Sequence, residues 1–449
     1  MDPESSRPDH AQRRRRSGRD ARRIAHRAAA TVVGLAVIAI NLLQACGFSA
    51  GRGIETPQDV YDILDESQYV EPYASDRWTV VDDAQLRVEH GWACAAAEDA
   101  ASQEYIGLRV GGFTKLPKNF DGTVFLNGWH LEYQHKDHHV VGLGTSIFNI
   151  VQLNDTLVWN AGGVLSDHNG DDAYRWCYDY TTVAWPRPST SPFGGIVHTP
   201  HVDIQAIVSN PQAQLMYTVS GRAGGVDEIA SSFKVKGKKE GRGVLLAGFG
   251  VSYRDDDHHV RQIGFDLGKT RVKRKKIKWL SDVVFKDDHD RAALGASIVS
   301  VLTGDSVEVF HPASATIESG DATPGVIAND LQLTPVTQTS GACLGDLAAR
   351  TIAMAVVTPA YTWAMPMLTG WNLGSPCGDN HLRHVGARIT DFHYVREAGA
   401  STGTLSYTLQ TDYGDQDGFP GMFGGAQVDV LGINLLQPVI ANPGGGIAG

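Results

Sequence analysis

The chain has 449 residues, of which 42% are hydrophobic and 20% are charged, with 50 glycines. That composition is globular and excludes collagen, coiled coil and wholesale disorder. The first 46 residues hold nine arginines and four acidic residues, which leaves 30 basic and 46 acidic side chains for the rest. A body this acidic is not expected to bind nucleic acid generally, because phosphate contacts need clustered cations.

The N-terminal segment has the layout of an export signal. Arginines up to Arg27 precede an uncharged stretch from Ala28 to Ala45, and Cys46 follows directly. A basic region, an apolar core of this length and a small residue before a cysteine are typical of a secretory signal. The alternative is an uncleaved signal anchor, since the apolar run is just long enough to span a bilayer.

The end of this segment, Leu43-Gln44-Ala45-Cys46, resembles the bacterial lipobox. The resemblance implies that residues 1–46 are a signal peptide and that Cys46 is acylated and becomes the new N-terminus. It further implies an exported protein, held at the cell envelope by a lipid anchor in the membrane or released outside the cell.

Residues 47–98 are predicted to form a small N-terminal cap with one short helix. Thr56 can cap this helix and Pro57 suits its first turn, while Val60, Ile63 and Leu64 share one face.

Four cysteines remain after Cys46. An even number in an exported chain favours disulfides, and the pairings that close within one half of the chain are Cys94 with Cys177 and Cys343 with Cys377. A cysteine metal site is disfavoured, because no two of them have the C-x-x-C spacing.

A threefold internal repeat is the main feature of the mature sequence. Segments 125–147, 245–267 and 367–389 align without a gap, at offsets of 120 and 122 residues. Each contains a glycine followed by an aromatic residue, then an Asp-x-His pair and a second glycine. The Asp-x-His pairs are Asp137 and His139 in copy one, Asp257 and His259 in copy two, and Asp379 and His381 in copy three.

The repeat has the period-two alternation of β-strands, and its two limbs, separated by a polar stretch, are predicted to form a hairpin. Short apolar runs broken by Gly, Pro, Asn and Asp fill the rest of the chain. The sequence therefore predicts an all-β protein, with three tandem antiparallel β-sandwich repeats of jelly-roll type at residues 99–212, 213–330 and 331–449.

The Asp-x-His pairs have two interpretations. Side chains two apart on a strand project to the same side, so each pair can share a metal ion or a proton. Alternatively each aspartate caps the turn and each histidine, which has the parity of the core-facing residues, donates a ring N–H to a loop carbonyl.

Acidic loops form a second set of candidate ligands. Closely spaced Asp and Asn with a glycine turn can offer hard oxygens to Ca²⁺, although none has the EF-hand pattern, and solvated turns are the alternative. The candidate residues are Asp167, Asn169, Asp171, Asp287, Asp288, Asp290, Asp412, Asp415 and Asp417.

Two further features suggest partners. The basic run from Lys269 to Lys278 can form one positive strand face for an anionic partner, or an edge strand that lysines protect from pairing. Tryptophans such as Trp159, Trp176, Trp185, Trp279 and Trp363 can stack on sugar rings or belong to the core.

The sequence carries no nucleophile elbow, zinc-protease helix, Walker loop or haem motif. Export, repetition and the missing catalytic motifs favour a binding or structural protein of the cell envelope or cell surface that contacts glycan or an envelope protein. The alternatives are a self-assembling subunit of an extracellular filament or shell, and a secreted hydrolase of polysaccharide or phosphoester.

Overall fold

The structure is a computed structural model that describes most of the chain beyond residue 69. The predicted signal segment with Cys46 and the predicted cap helix after Thr56 lie outside the described residues. The rest of the predicted cap, residues 47–98, is partly described, and its segments Ala74–Asp82 and Arg87–Ala97 are strands of a large sheet rather than a separate cap. The described ranges are 70–82, 84–97, 108–135, 138–167, 172–186, 203–207, 226–234, 241–253, 259–268, 270–273, 276–287, 293–303, 307–312, 316–320, 350–375, 381–414 and 423–434.

These ranges contain strands and no helix, which confirms the all-β prediction for the described part of the chain. None of them therefore holds a helix that could cross a membrane. The strands are β1 (Ala74–Asp82), β2 (Arg87–Ala97), β3 (Leu108–Lys115), β4 (Phe120–Tyr133), β5 (Gly142–Leu153), β6 (Thr156–Ser166), β7 (Tyr174–Pro186), β8 (Asp203–Ile207), β9 (Val226–Lys234), β10 (Gly241–Tyr253), β11 (Gln262–Leu267), β12 (Arg271–Lys273), β13 (Lys276–Lys286), β14 (Ala293–Thr303), β15 (Val307–Phe310), β16 (Thr316–Gly320), β17 (Arg350–Pro359), β18 (Trp363–Gly374), β19 (His384–Val395), β20 (Thr402–Gly414) and β21 (Phe423–Ile433).

Period-two alternation explains the outer strands. In β20, Leu405, Tyr407 and Leu409 are buried while the residues between them are partly exposed. The central strand β4 is buried almost continuously, because apolar layers cover both of its faces. Its sequence therefore alternates less clearly.

The strands form three curled antiparallel sheets. Sheet I has the order β1-β2-β7-β4-β19-β20-β17-β16, and sheet II has the order β3-β6-β5-β10-β14-β8. Sheet III has the order β12-β13-β11-β18-β21-β15, with β9 also paired to β13. Equivalent strands run from β2 to β7 in copy one, β8 to β14 in copy two and β15 to β21 in copy three, so each set begins before the boundaries expected at residues 99, 213 and 331.

Every sheet is shared between two copies. The joining pairs, which we call seams, are β4 with β19, β5 with β10, and β11 with β18. Copy one thus pairs with copies two and three, and copies two and three also pair with each other. The three copies close a ring around an approximate threefold axis.

This arrangement corrects two expectations. The two limbs of each repeat do not form a hairpin, because they lie in different sheets and pair with limbs of the neighbouring copies. The copies are consequently not separate tandem sandwiches. Period-two alternation is satisfied by any partner strand that covers the same face, so the pattern does not reveal which copy supplies the partner.

The repeated glycines lie at the seams. The ladders formed by β4, β10 and β18 with the strands β7, β14 and β21 each have a bulge just before Gly128, Gly248 or Gly370. A Cβ on Gly248 would lie 2.4 Å from the Cβ of Ser146 and 2.7 Å from the carbonyl oxygen of Thr145 in the neighbouring copy. Glycine is required here because the two backbones approach too closely for a side chain.

The core is continuous through all three copies. Trp129, Phe249 and Trp371, one from each copy, are fully buried against each other, with ring centroids 4.4–5.2 Å apart. We call them the ring triad. A second apolar cluster also draws on all three copies, through residues such as Phe125, Leu245 and Met367. The axis is therefore packed with side chains.

A disulfide joins Cys94 in β2 to Cys177 in β7, which is the partner predicted for it. The two residues face each other across neighbouring strands of sheet I. Cys343 and Cys377 lie outside the described residues.

We predict that Gly248→Ala destabilises the protein by at least about 2 kcal/mol, because the new methyl group overlaps backbone across the seam. Urea unfolding of the variant measures this loss. Gly162→Ala in β6 of the same sheet is the control, since its Cβ would meet no atom closer than 3.3 Å. Equal effects of the two substitutions would contradict the role of the seam.

Candidate metal centre on the threefold axis

One histidine from each copy meets its two equivalents at the axis. The ring centroids of His139, His259 and His381 lie 4.3, 4.5 and 4.9 Å apart, and each side chain is partly buried. The Nε2 atoms of His139 and His381 are 2.8 Å apart. One nitrogen from each ring lies within 4.8 Å of the other two. We call this group the histidine triad.

Main-chain hydrogen bonds hold the triad in the same way in each copy. Two residues after each histidine, a backbone N–H donates to the last residue of a neighbouring strand, over 2.7 Å in all three cases. The bonds run from Val141 to Ser166, from Arg261 to Lys286 and from Arg383 to Gly414.

A second set of bonds ties these segments to the next copy. Backbone N–H groups donate from Tyr133 to Arg383, from Tyr253 to Val141 and from Ser375 to Arg261, over 2.8 to 3.0 Å. The carbonyl acceptor is again the second residue after each histidine. These two sets of three equivalent bonds thus fix the backbone around the triad with approximate threefold symmetry.

Buried apolar residues follow the histidines of the triad along the chain. The residue after each histidine, Val140, Val260 or Leu382, is completely buried. The hydroxyl of Tyr413 in copy three donates a hydrogen bond to the carbonyl of Val260 in copy two. Leu131, Val251 and Leu373, each two residues after a member of the ring triad on β4, β10 or β18, are buried as well. A close-packed support of this kind limits the movement of the three imidazoles.

Of the predicted Asp-x-His pairs, the described residues include the three histidines, which the structure brings together. Asp137, Asp257 and Asp379 lie outside the described residues. The spacing predicts each histidine at the end of a core-facing row, and the three histidines are partly buried. The sequence gives no signal that the three rows end at one point.

A second cluster lies on the seam between copies one and three. Asp412 in β20 accepts a hydrogen bond from His130 Nε2 at 2.9 Å and forms a 2.9 Å ion pair with His384 Nδ1. Burial alone would raise the pKa of Asp412, but the two histidines outweigh it and hold that pKa well below its usual range. Burial lowers the pKa of His384, and the carboxylate of Asp412 outweighs that effect and raises it. Sequence spacing did not indicate His130 or His384.

The acidic residues predicted for calcium are only partly described. Asp167 is buried and lies with His138 and Asp172 in a third cluster, where His138 Nδ1 is 2.7 Å from Asp172 Oδ2. Asp287 is also buried and follows β13 as Asp167 follows β6. Asp412 contacts two histidines, so its surroundings are not the oxygen cage that Ca²⁺ prefers. Asn169, Asp171, Asp288, Asp290, Asp415 and Asp417 lie outside the described residues, and the calcium prediction stays a prediction.

Charged groups differ between the seams. Arg388 of copy three makes a bidentate ion pair with Asp179 of copy one, with both N–O distances 2.7 Å. On the seam between copies two and three, the position equivalent to Arg388 is Asp266. The pKa of Asp266 is raised to about 7, chiefly by burial and also by the negative charges of Asp282 and Asp429, against smaller opposing effects of His311 and Gln427.

The basic run is a small hairpin rather than one strand. β12 pairs with the start of β13, and the pairing sets Arg271 opposite Lys278 and Lys273 opposite Lys276. Arg271, Lys276 and Lys278 are exposed, while Ile277 is buried. The tryptophans Trp159, Trp176, Trp185 and Trp279 are buried and belong to the core.

The chain matches no protein-family model, and no curated protein or solved structure is significantly similar to it. The proposed function therefore rests on the fold and on the side-chain clusters described above.

We predict that Asp266→Asn stabilises the protein at pH 8 by about 2–4 kcal/mol and has little effect near pH 4. The folded pKa of about 7 is above the ordinary aspartate value of 3.8, so ionising Asp266 costs the folded wild-type protein more stability as pH rises between these values. Urea unfolding at several pH values measures the difference between variant and wild type.

The exposed carboxylate of Asp155 provides the control, because Asp155→Asn removes a charge without burial. A stability gain for Asp266→Asn that is the same at pH 4 and pH 8 would contradict the raised pKa.

Proposed function

We propose that the protein is an exported structural protein of the cell envelope, which acts as the single-chain equivalent of a trimer and contacts an envelope partner. The observation that carries this proposal is the closed ring of seams. The three copies complete each other's sheets and therefore form one rigid body with three related outer surfaces. Such a body suits repeated contacts to one partner.

Export and anchoring are part of the same proposal. The lipobox-like segment supports acylation at Cys46, and the Cys94–Cys177 disulfide supports folding in an oxidising compartment. The acidic composition supports neither nucleic acid nor an anionic surface as the general partner, although the exposed basic hairpin at Arg271 and Lys278 is a local exception.

A protein partner is better supported than a glycan. Of the five tryptophans considered for sugar stacking, Trp363 is partly buried against the core and the other four are buried. The four buried rings offer no platform for a sugar ring. A glycan would need other contacts.

A subunit of an extracellular filament or shell is the second candidate. The approximate threefold arrangement favours it, because threefold bodies can occupy symmetric positions in a lattice. The two candidates differ in whether copies of the chain bind each other or bind a different envelope molecule.

We predict that the full chain, expressed in a bacterial host, takes up labelled fatty acid and fractionates with membranes. Cys46→Ser should abolish the label and the acyl anchor, and Cys94→Ser is the control that should keep the label. Labelling that persists in Cys46→Ser, or a full chain that remains in the cytoplasm, would contradict the proposal.

Partner binding is tested on the anchored protein. Cross-linking in intact cells, followed by identification of the linked molecules, should yield a recurring envelope protein if the first candidate holds. Links between copies of the chain and ordered arrays in negative-stain images would support the filament or shell. A protein that gives neither kind of link would overturn both candidates.

A further inference from the structure

We propose that the histidine triad binds one transition-metal ion of the zinc class on the threefold axis. In this site His139, His259 and His381 each supply one imidazole nitrogen. The ion would connect the three copies where their backbones meet. This inference does not depend on the proposed envelope function.

The distances suit such an ion. Zinc binds imidazole nitrogen at about 2.0–2.1 Å in tetrahedral geometry, which places neighbouring ligand nitrogens about 3.3 Å apart. In the triad the Nε2 atoms of His139 and His381 are 2.8 Å apart, and one nitrogen from each of the three rings lies within 4.8 Å of the other two. Small rotations of the rings therefore bring all three nitrogens to bonding distance from a common centre.

The ligand chemistry distinguishes this site from the calcium loops. Imidazole nitrogen suits zinc, copper, nickel and iron, whereas Ca²⁺ selects oxygen ligands. The described ligand atoms of the triad are three imidazole nitrogens, so the site favours a transition metal over Ca²⁺.

The support beneath the rings is prearranged for a metal. Two sets of three equivalent main-chain hydrogen bonds fix the segments that carry the histidines, and the residue after each histidine, Val140, Val260 or Leu382, is completely buried. Rigid elements of this kind hold ligands in place before the ion arrives. Three protein ligands also leave a fourth position for water.

The fold explains why the histidine occurs in all three copies although its neighbour does not. The preceding residue is His138 in copy one, His258 in copy two and Asn380 in copy three. Because the three histidines meet at one point, losing one of them would remove a third of a single site. Three independent Asp-x-His sites would instead hold three ions.

The test uses the full chain, purified without a polyhistidine tag after growth with added Zn²⁺. Elemental analysis should find about one ion per chain, and a chelator should remove it and lower the melting temperature by about 5 °C or more. His259→Gln should lose the ion and melt at the temperature of the chelated wild type, with no further response to chelator. Cobalt substitution should give the visible bands of a tetrahedral nitrogen site in the wild type and not in His259→Gln.

Two control variants make the result specific. His393→Gln removes an exposed histidine of β19 and should keep the ion. Asp412→Asn alters the neighbouring His130 and His384 cluster and should also keep it. Wild-type protein without an ion, three ions per chain, an ion retained in His259→Gln, or an ion lost in Asp412→Asn would each overturn the proposal.

Discussion

The structure depends on main-chain hydrogen bonding between strands of different copies. Each copy places half of its strands in one sheet and half in another, and the seams at β4–β19, β5–β10 and β11–β18 complete those sheets. Without the seams, six long strands would become edges with unpaired N–H and C=O groups. The ring triad and the histidine triad exist only because these seams bring three equivalent segments to one axis.

The repeated glycines allow the backbones of neighbouring copies to approach each other closely. Gly128 and Gly248 leave no room for a Cβ next to Arg388 and Ser146 of the adjoining copies. Away from the glycines the copies have diverged, so that one seam has the buried Arg388–Asp179 ion pair and another has the buried carboxyl of Asp266. A trimer of identical chains could not place an ion pair on one seam alone.

The sequence could predict the strands, the repeat and the core-facing position of each histidine. Period-two alternation and a constant spacing of about 120 residues were sufficient for these features. These patterns could not predict the seams. An apolar row such as Leu143 and Ile147 can be buried equally well beside a strand of its own copy or beside a strand of a neighbouring copy. Convergence of His139, His259 and His381 follows from the seams and was hidden for the same reason. Contacts between distant segments, such as those of His130 and Asp412, left no local pattern at all.

Closure of the ring also determines when the protein can be complete. The seam between β4 and β19 joins Gly128 to Arg388, residues separated by most of the described chain. Pairing over such a separation carries a large loop-closure cost and slows folding. The β4 edge of the sheet in copy one therefore stays open until copy three has been synthesised. Under the proposed export, the chain would reach its native topology only after its last third had crossed the membrane.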